Sequence, residues 1–224
     1  MIPEIVFSTG MGGNHVRWLL SIDPKFDLPF CTGSIDDKVS WICQNVYKNR
    51  TWNNWLLTEW KYTDSLDSII KVNHELTQPG EKWDDINWLN KKQLLLTTKD
   101  NTITAYHYFM VNIGYNNQNK EILLAQFDQW DTIVSSLQNG RYDLSSKKVL
   151  LSDCVADPLL DAEWYKEIVG WAGYDNLYEP ASRIQAAYYE CRQQAAQDFI
   201  TYFESKEFQS HLDFYKNVYI KEQQ

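Results

Sequence analysis

The chain predicts an α/β fold, a three-layer sandwich on a parallel sheet of four or five strands. Three observations lead there. Short apolar runs at 4–8, 94–98, 121–125 and 148–152 alternate with helical patterns, and that alternation gives mostly parallel sheets. Runs such as Leu94-Leu95-Leu96 are continuously apolar, as in strands buried on both faces. The first run enters a glycine-rich turn, Gly10-Met11-Gly12-Gly13, and then a helical pattern, the opening unit of many α/β folds.

Taken in order, Ile5, Val6 and Phe7 make the first strand. Asn14 is a candidate N-cap for a helix over 14–21, which ends before Asp23-Pro24. Ser34 caps a second helix over 34–47, with Val39, Ile42, Cys43 and Val46 at helical spacing. Residues 49–90 are polar, aromatic and broken by Pro79-Gly80. They read as short helices and loops rather than sheet, one helix being marked by Ser65, Ile69, Ile70 and Val72. The expectation is therefore a single domain over 1–224 with an aromatic-rich helical insertion at about 34–90.

The second strand candidate is 94–98. Residues 104–113 are rich in β formers and end at the turn cluster Gly114-Tyr115-Asn116-Asn117. Ile122-Leu123-Leu124-Ala125 is a further strand, followed by a helix over 131–137. Another buried strand at 148–151 follows the turn Asn139-Gly140, and a helix over 162–171 stops at Gly173. From Ala181 onward the pattern is one long C-terminal helix. Ile184, Tyr188, Cys191, Ala195, Phe199 and Phe203 form a single apolar stripe on it.

Composition limits the function classes. Hydrophobic residues make up 44%, which places the chain among globular proteins. The net charge is −9, from 30 acidic and 21 basic residues. A nucleic-acid surface is disfavoured, because backbone binding needs clustered Lys and Arg. An anionic small molecule stays open, since local N–H groups can outweigh a distant net charge. Cys31, Cys43, Cys154 and Cys191 form no C-x-x-C pair, so they read as reduced thiols and not as zinc ligands. The start Met-Ile-Pro-Glu has no signal-peptide pattern, and no run approaches a membrane span. The cytoplasm is the expected address. The ten Trp and 14 Tyr, with Trp41, Trp52, Trp55 and Trp60 close to Tyr47 and Tyr62, fill core or a contact face more often than they stack on a sugar or base.

The glycine turn carries the chemistry. Glycines let successive N–H groups converge on one point, and a helix N-terminus adds partial positive charge there. No Lys occurs between Met1 and Ile22, so the turn is not a Walker A loop, and His15 stands where a dinucleotide motif needs its third glycine. Without the loop Lys an ATPase is disfavoured, and the same absence counts against a small-molecule kinase. The competing structural reading is a tight β–α turn whose glycines only relieve strain.

Three segments resemble the sulfotransferase family of P-loop proteins. Gly12-Gly13-Asn14-His15 leading into Val16-Arg17-Trp18-Leu19 looks like that family's loop for the 5′-phosphosulfate end of 3′-phosphoadenosine 5′-phosphosulfate. In the segment 121–137, Asp131 resembles the motif aspartate and Ser135 the serine that binds the donor's 3′-phosphate. The motif arginine is replaced by Gln126 or Phe127, losing a bidentate charged contact. In 147–158, Asp153, Asp157 and Pro158 match an ordering loop. The family's late Arg-Lys-Gly-x-x-Gly loop has no counterpart.

The resemblance implies a P-loop nucleotide-hydrolase-like sheet in which strand one and the 121–125 strand are neighbours. It implies 3′-phosphoadenosine 5′-phosphosulfate as the donor, without metal. Gly10, Gly12, Gly13, Asn14, Arg17 and Ser135 are then the candidate binding residues. His15 is the candidate base, with a capping or loop-stabilising role as its alternative, and His107 is a second candidate base. Thr97-Thr98-Lys99 stands where the family has a Thr-His pair; Lys99 supplies a cation but no easy base near neutral pH. The adjacent pairs Asp36-Asp37 and Asp84-Asp85 read as solvated. Two main functions follow: sulfuryl transfer to a hydroxyl acceptor, or a non-catalytic P-loop-fold protein binding a nucleotide, another anion or a protein partner. A small-molecule kinase is the third.

Overall fold

The computed structural model describes residues 2–7, 12–28, 31, 33–48, 66–73, 92–97, 148–151, 162–175 and 178–202. Their elements are β1 (Glu4–Val6), α1 (Gly13–Ser21) and α2 (Ile35–Ile42), which runs on into a π-helical turn (Cys43–Tyr47). Then come β2 (Lys71–Asn73), β3 (Gln93–Thr97), β4 (Lys148–Leu151), α3 (Ala162–Ala172) and α4 (Tyr178–Tyr202).

The described strands form one parallel sheet in the order β2-β1-β3-β4. The class is α/β, as the alternation predicts. Ile5 pairs with Val72 on one side and Leu94 on the other. Ile5, Phe7, Leu94 and Leu96 join the main hydrophobic cluster with α1. Val6 and its register partner Leu95 point the opposite way, yet they are buried too. Both faces of these central strands are thus shut off from water, the physical reason their sequences are continuously apolar.

One sequence expectation needs correction. Ile69, Ile70 and Val72 do not mark a helix. A turn at 66–69 delivers the chain into strand β2, aligned by a bond from the Lys71 N–H to the Pro3 carbonyl. Part of the expected helical insertion therefore belongs to the sheet. Among the described residues, strand one is flanked by β2 and β3. The 121–125 run, expected beside strand one, lies outside the described residues.

Helix α2 begins where its cap predicts. The Asp37 N–H donates to Ser34 Oγ, and the Ser34 N–H donates to Asp37 Oδ2 at 2.9 Å, a reciprocal capping box. The Ser34 hydroxyl, which donates to Asp37 Oδ2 at 2.8 Å, and then the Ser34 N–H hold the Asp37 carboxyl below the usual carboxylate range. At the far end, the five-residue π turn carries buried Val46 and Tyr47 inward.

Helix α3 stops at Gly173, whose φ of 75° favours glycine. Cations meet the open carbonyls there: Lys92 Nζ donates to the Ala172 carbonyl and Lys25 Nζ to that of Gly173. Lys25 also lies 4.0 Å from the Tyr174 ring centre. The loop after α1 is tied in by buried Asp23, which accepts from the Lys25 and Asp175 N–H groups. Buried Lys38 donates to the Asp23 and Phe26 carbonyls.

Two outcomes are expected. Ser34→Ala removes the α2 cap and lowers unfolding free energy by about 1 kcal/mol in urea titration, with the sheet intact. Tyr174 donates to the Ile69 carbonyl at 2.6 Å, and burial, then Asp23, pushes its phenol up to about 12. An acid raised on folding contributes stability that is complete below its unfolded value, about 10, and is lost as pH climbs toward the folded one. Tyr174→Phe should cost about 1 kcal/mol at neutral pH and flatten the alkaline fall in stability between pH 10 and about 12.

Candidate functional site

All the described strands are parallel, so their carboxyl ends share one edge of the sheet. The chain leaves β1 toward β2 on one side and later crosses back to β3 on the other. Beyond the carboxyl ends at such a reversal lies the crevice where open α/β sheets take ligands. The glycine turn leaves β1 at this edge. Gly10 lies outside the described residues, as do His107 and Ser135.

Helix α1 opens at Gly12, which sits in the left-handed region with φ 81° and ψ 16°. That backbone state suits glycine and strains other residues. The first helical bond runs from the Val16 N–H to the Gly12 carbonyl. The first turn carries no acidic side chain, so its positive dipole end is not neutralised from within the helix. Gly13 is buried, and a Cβ added to it would run into the Phe7 ring. Its smallness thus serves the packing of strand against helix.

The side chains proposed from the sequence to meet an anion have partners within the fold. Asn14 Oδ1 accepts from Arg17 at 3.3 Å. The Arg17 guanidinium is buried and donates to Asp67 Oδ1 at 2.9 Å, just ahead of β2. His15 is 2% exposed. Its Nε2 lies 2.5 Å from Gln185 Oε1 on α4, and its Nδ1 lies 2.8 Å from the Tyr47 hydroxyl on the π turn. An amide oxygen can only accept, so the Nε2 carries a proton, and in the neutral ring Nδ1 accepts from Tyr47. The imidazole also stacks on Tyr188, with ring centres 3.8 Å apart and planes 7° from parallel. The structure thus places His15 in a closed aromatic box between α1, the π turn and α4.

Tyr47, Gln185 and Tyr188 are the residues of this cluster that sequence reasoning did not assign. Tyr188 was legible as core, from the α4 stripe. Gln185 carried no signal, since a polar residue beside an apolar stripe is ordinarily solvated. Cys31, Cys43 and Cys191 are free thiols, and burial pushes the Cys43 thiol up. Among the described residues no group of three His, Cys, Asp or Glu forms a metal-binding cluster, and no helix is long and apolar enough to cross a membrane.

Comparison of the chain with models of protein families, with curated proteins and with solved structures finds no match in any of the three.

Gly13→Ala separates the packing role of this glycine from a ligand role. The expected loss is about 1–3 kcal/mol, the range for overpacking, read by urea unfolding. Phe7→Leu in the same chain should recover part of it by vacating the space.

Proposed function

We propose that this chain is a non-catalytic α/β domain that binds an anionic small molecule, a nucleotide foremost, in the crevice beyond the carboxyl ends of β1 and β3. The reversal of strand order at β1, where a glycine-opened helix begins, is the observation that carries this reading. The finer architecture proposed with it is a three-layer P-loop-like sandwich closed by α4, in a cytoplasmic protein. The engagement of His15 by Tyr47 and Gln185 supports binding over catalysis, because a base must reach the proton it removes.

Sulfuryl transfer from 3′-phosphoadenosine 5′-phosphosulfate is the second reading, favoured by the β1–glycine turn–α1 unit. The occupation of both edges of β1 counts against it, since the resemblance requires the strand leading to Ser135 beside β1.

Titration with adenosine 3′,5′-bisphosphate and, separately, with sulfate tests both readings. Amide resonances of residues 10–14 are expected to shift. Affinity for the bisphosphate should be weak, since a charged hydrogen bond lost at Gln126–Phe127 is worth about 1.5–3 kcal/mol, or roughly one to two powers of ten. Shifts confined to other residues, or no binding of either anion, would overturn the anion site. Sulfated product formed from the phosphosulfate, with a sharp loss in Ser135→Ala, would establish the enzyme instead.

A further inference from the structure

Helix α1 opens without a side-chain cap of its own, since glycine at position 12 brings no oxygen with which to accept from the first N–H groups. Helix α2 shows the contrast, with Ser34 and Asp37 closing its first turn. In α1 the anchor lies further in. The third helical residue, His15, sits between Gln185 Oε1 on α4, 2.5 Å from its Nε2, and the Tyr47 hydroxyl on the π turn, 2.8 Å from its Nδ1. Tyr188 stacks on the same ring, and Tyr47 stands edge-on to it. All four side chains are buried.

We propose that Gln185 and Tyr47 are positioning residues for the anion site: acting through His15, they fix the direction in which the first turn of α1 presents its backbone. This role rests on the anion-binding reading above.

Two bonds on different sides of the imidazole fix the ring within its plane, and the stack on Tyr188 fixes the plane itself. The backbone of His15 is thereby held relative to α4 and the π turn. Backbone donors bind an anion by position alone, and a binding constellation tolerates displacement of only about 0.5 Å. Gly12 leaves the turn a wide conformational choice, so a group outside the turn has to select one state. The Phe7 ring lies against Gly13, but apolar contact is non-directional, whereas a hydrogen bond carries an angle as well as a distance. A side chain 170 residues away in sequence thus sets geometry at the crevice. The arrangement needs no change of charge on His15.

Amide hydrogen exchange and sulfate titration, both on the full chain at neutral pH, test this. Gln185→Met fills the space without an acceptor, and Tyr47→Phe removes only the hydroxyl. In each, the Val16 amide, which closes the first turn on the Gly12 carbonyl, should lose about fivefold in protection while that of Leu20 keeps its own. Sulfate should bind about fivefold more weakly, the loss expected for one neutral hydrogen bond. Arg183→Gln, which cuts the surface pair between α4 and Asp36, should change neither. Tyr47→Phe decides the matter if Gln185→Met does not fold. Unchanged Val16 protection, unchanged affinity in a chain that binds sulfate, an equal loss at Leu20, or the same effects in Arg183→Gln would each overturn the positioning role. If the wild-type chain binds no sulfate, the anion reading falls instead, and Val16 protection then upholds or overturns the fixing of the turn by itself.

Discussion

The structure depends on the burial of α1 on all sides. Eight of its nine residues are buried, and three of these, His15, Arg17 and Ser21, are polar. Leaving one such group without a partner costs about 1–3 kcal/mol, more for a charge, against a total stability of roughly 5–15 kcal/mol for a domain. At each position the fold bonds at least one polar side-chain atom. Ser21 returns its hydroxyl to the Trp18 carbonyl. Arg17 draws in Asp67, setting the chain up to enter β2. His15 draws in the π turn through Tyr47 and α4 through Gln185. Trp18, Leu19 and Leu20 fill the remaining faces, and Tyr165 of α3 reaches the Leu19 carbonyl. Helices far apart in sequence are thus positioned by what α1 cannot leave unsatisfied.

That constraint bears directly on the candidate site. The same short stretch that supplies a glycine-opened helix start also supplies the groups that hold the domain together. Gly13 makes room for Phe7, and His15 and Arg17 serve packed interfaces. Among the described residues of this stretch, what remains for a ligand is backbone at the positive end of α1, by the edge where the strand order reverses. Backbone donors can bind an anion by position alone, whereas proton transfer needs a side chain free to move a proton. The proposed binding reading rests on that difference.

How much could be read in advance follows from the range of each signal. Capping is local, so Ser34 announced α2, and Gly173 announced the end of α3. Continuous apolar runs announced β1, β3 and β4. The run at 69–72 was ambiguous because a short apolar stretch fits a buried strand and a helix face equally; β2 formed because the open edge of β1 offered it a ladder. The π turn is likewise absent from local propensity, since its register brings Tyr47 to a ring that lies 32 residues earlier in the chain.

By itself, then, the sequence determined the α/β class, the start of α2, the stop of α3, the three apolar strands and the glycines that open α1. These rest on backbone sterics, capping and hydrophobic periodicity, which act within a few residues. Only the tertiary structure decided which strands flank β1, and that His15 and Arg17 point into the protein. Both outcomes depend on competition among distant partners for a hydrogen-bonding edge or a buried polar atom, and no local pattern of residue types encodes the winner.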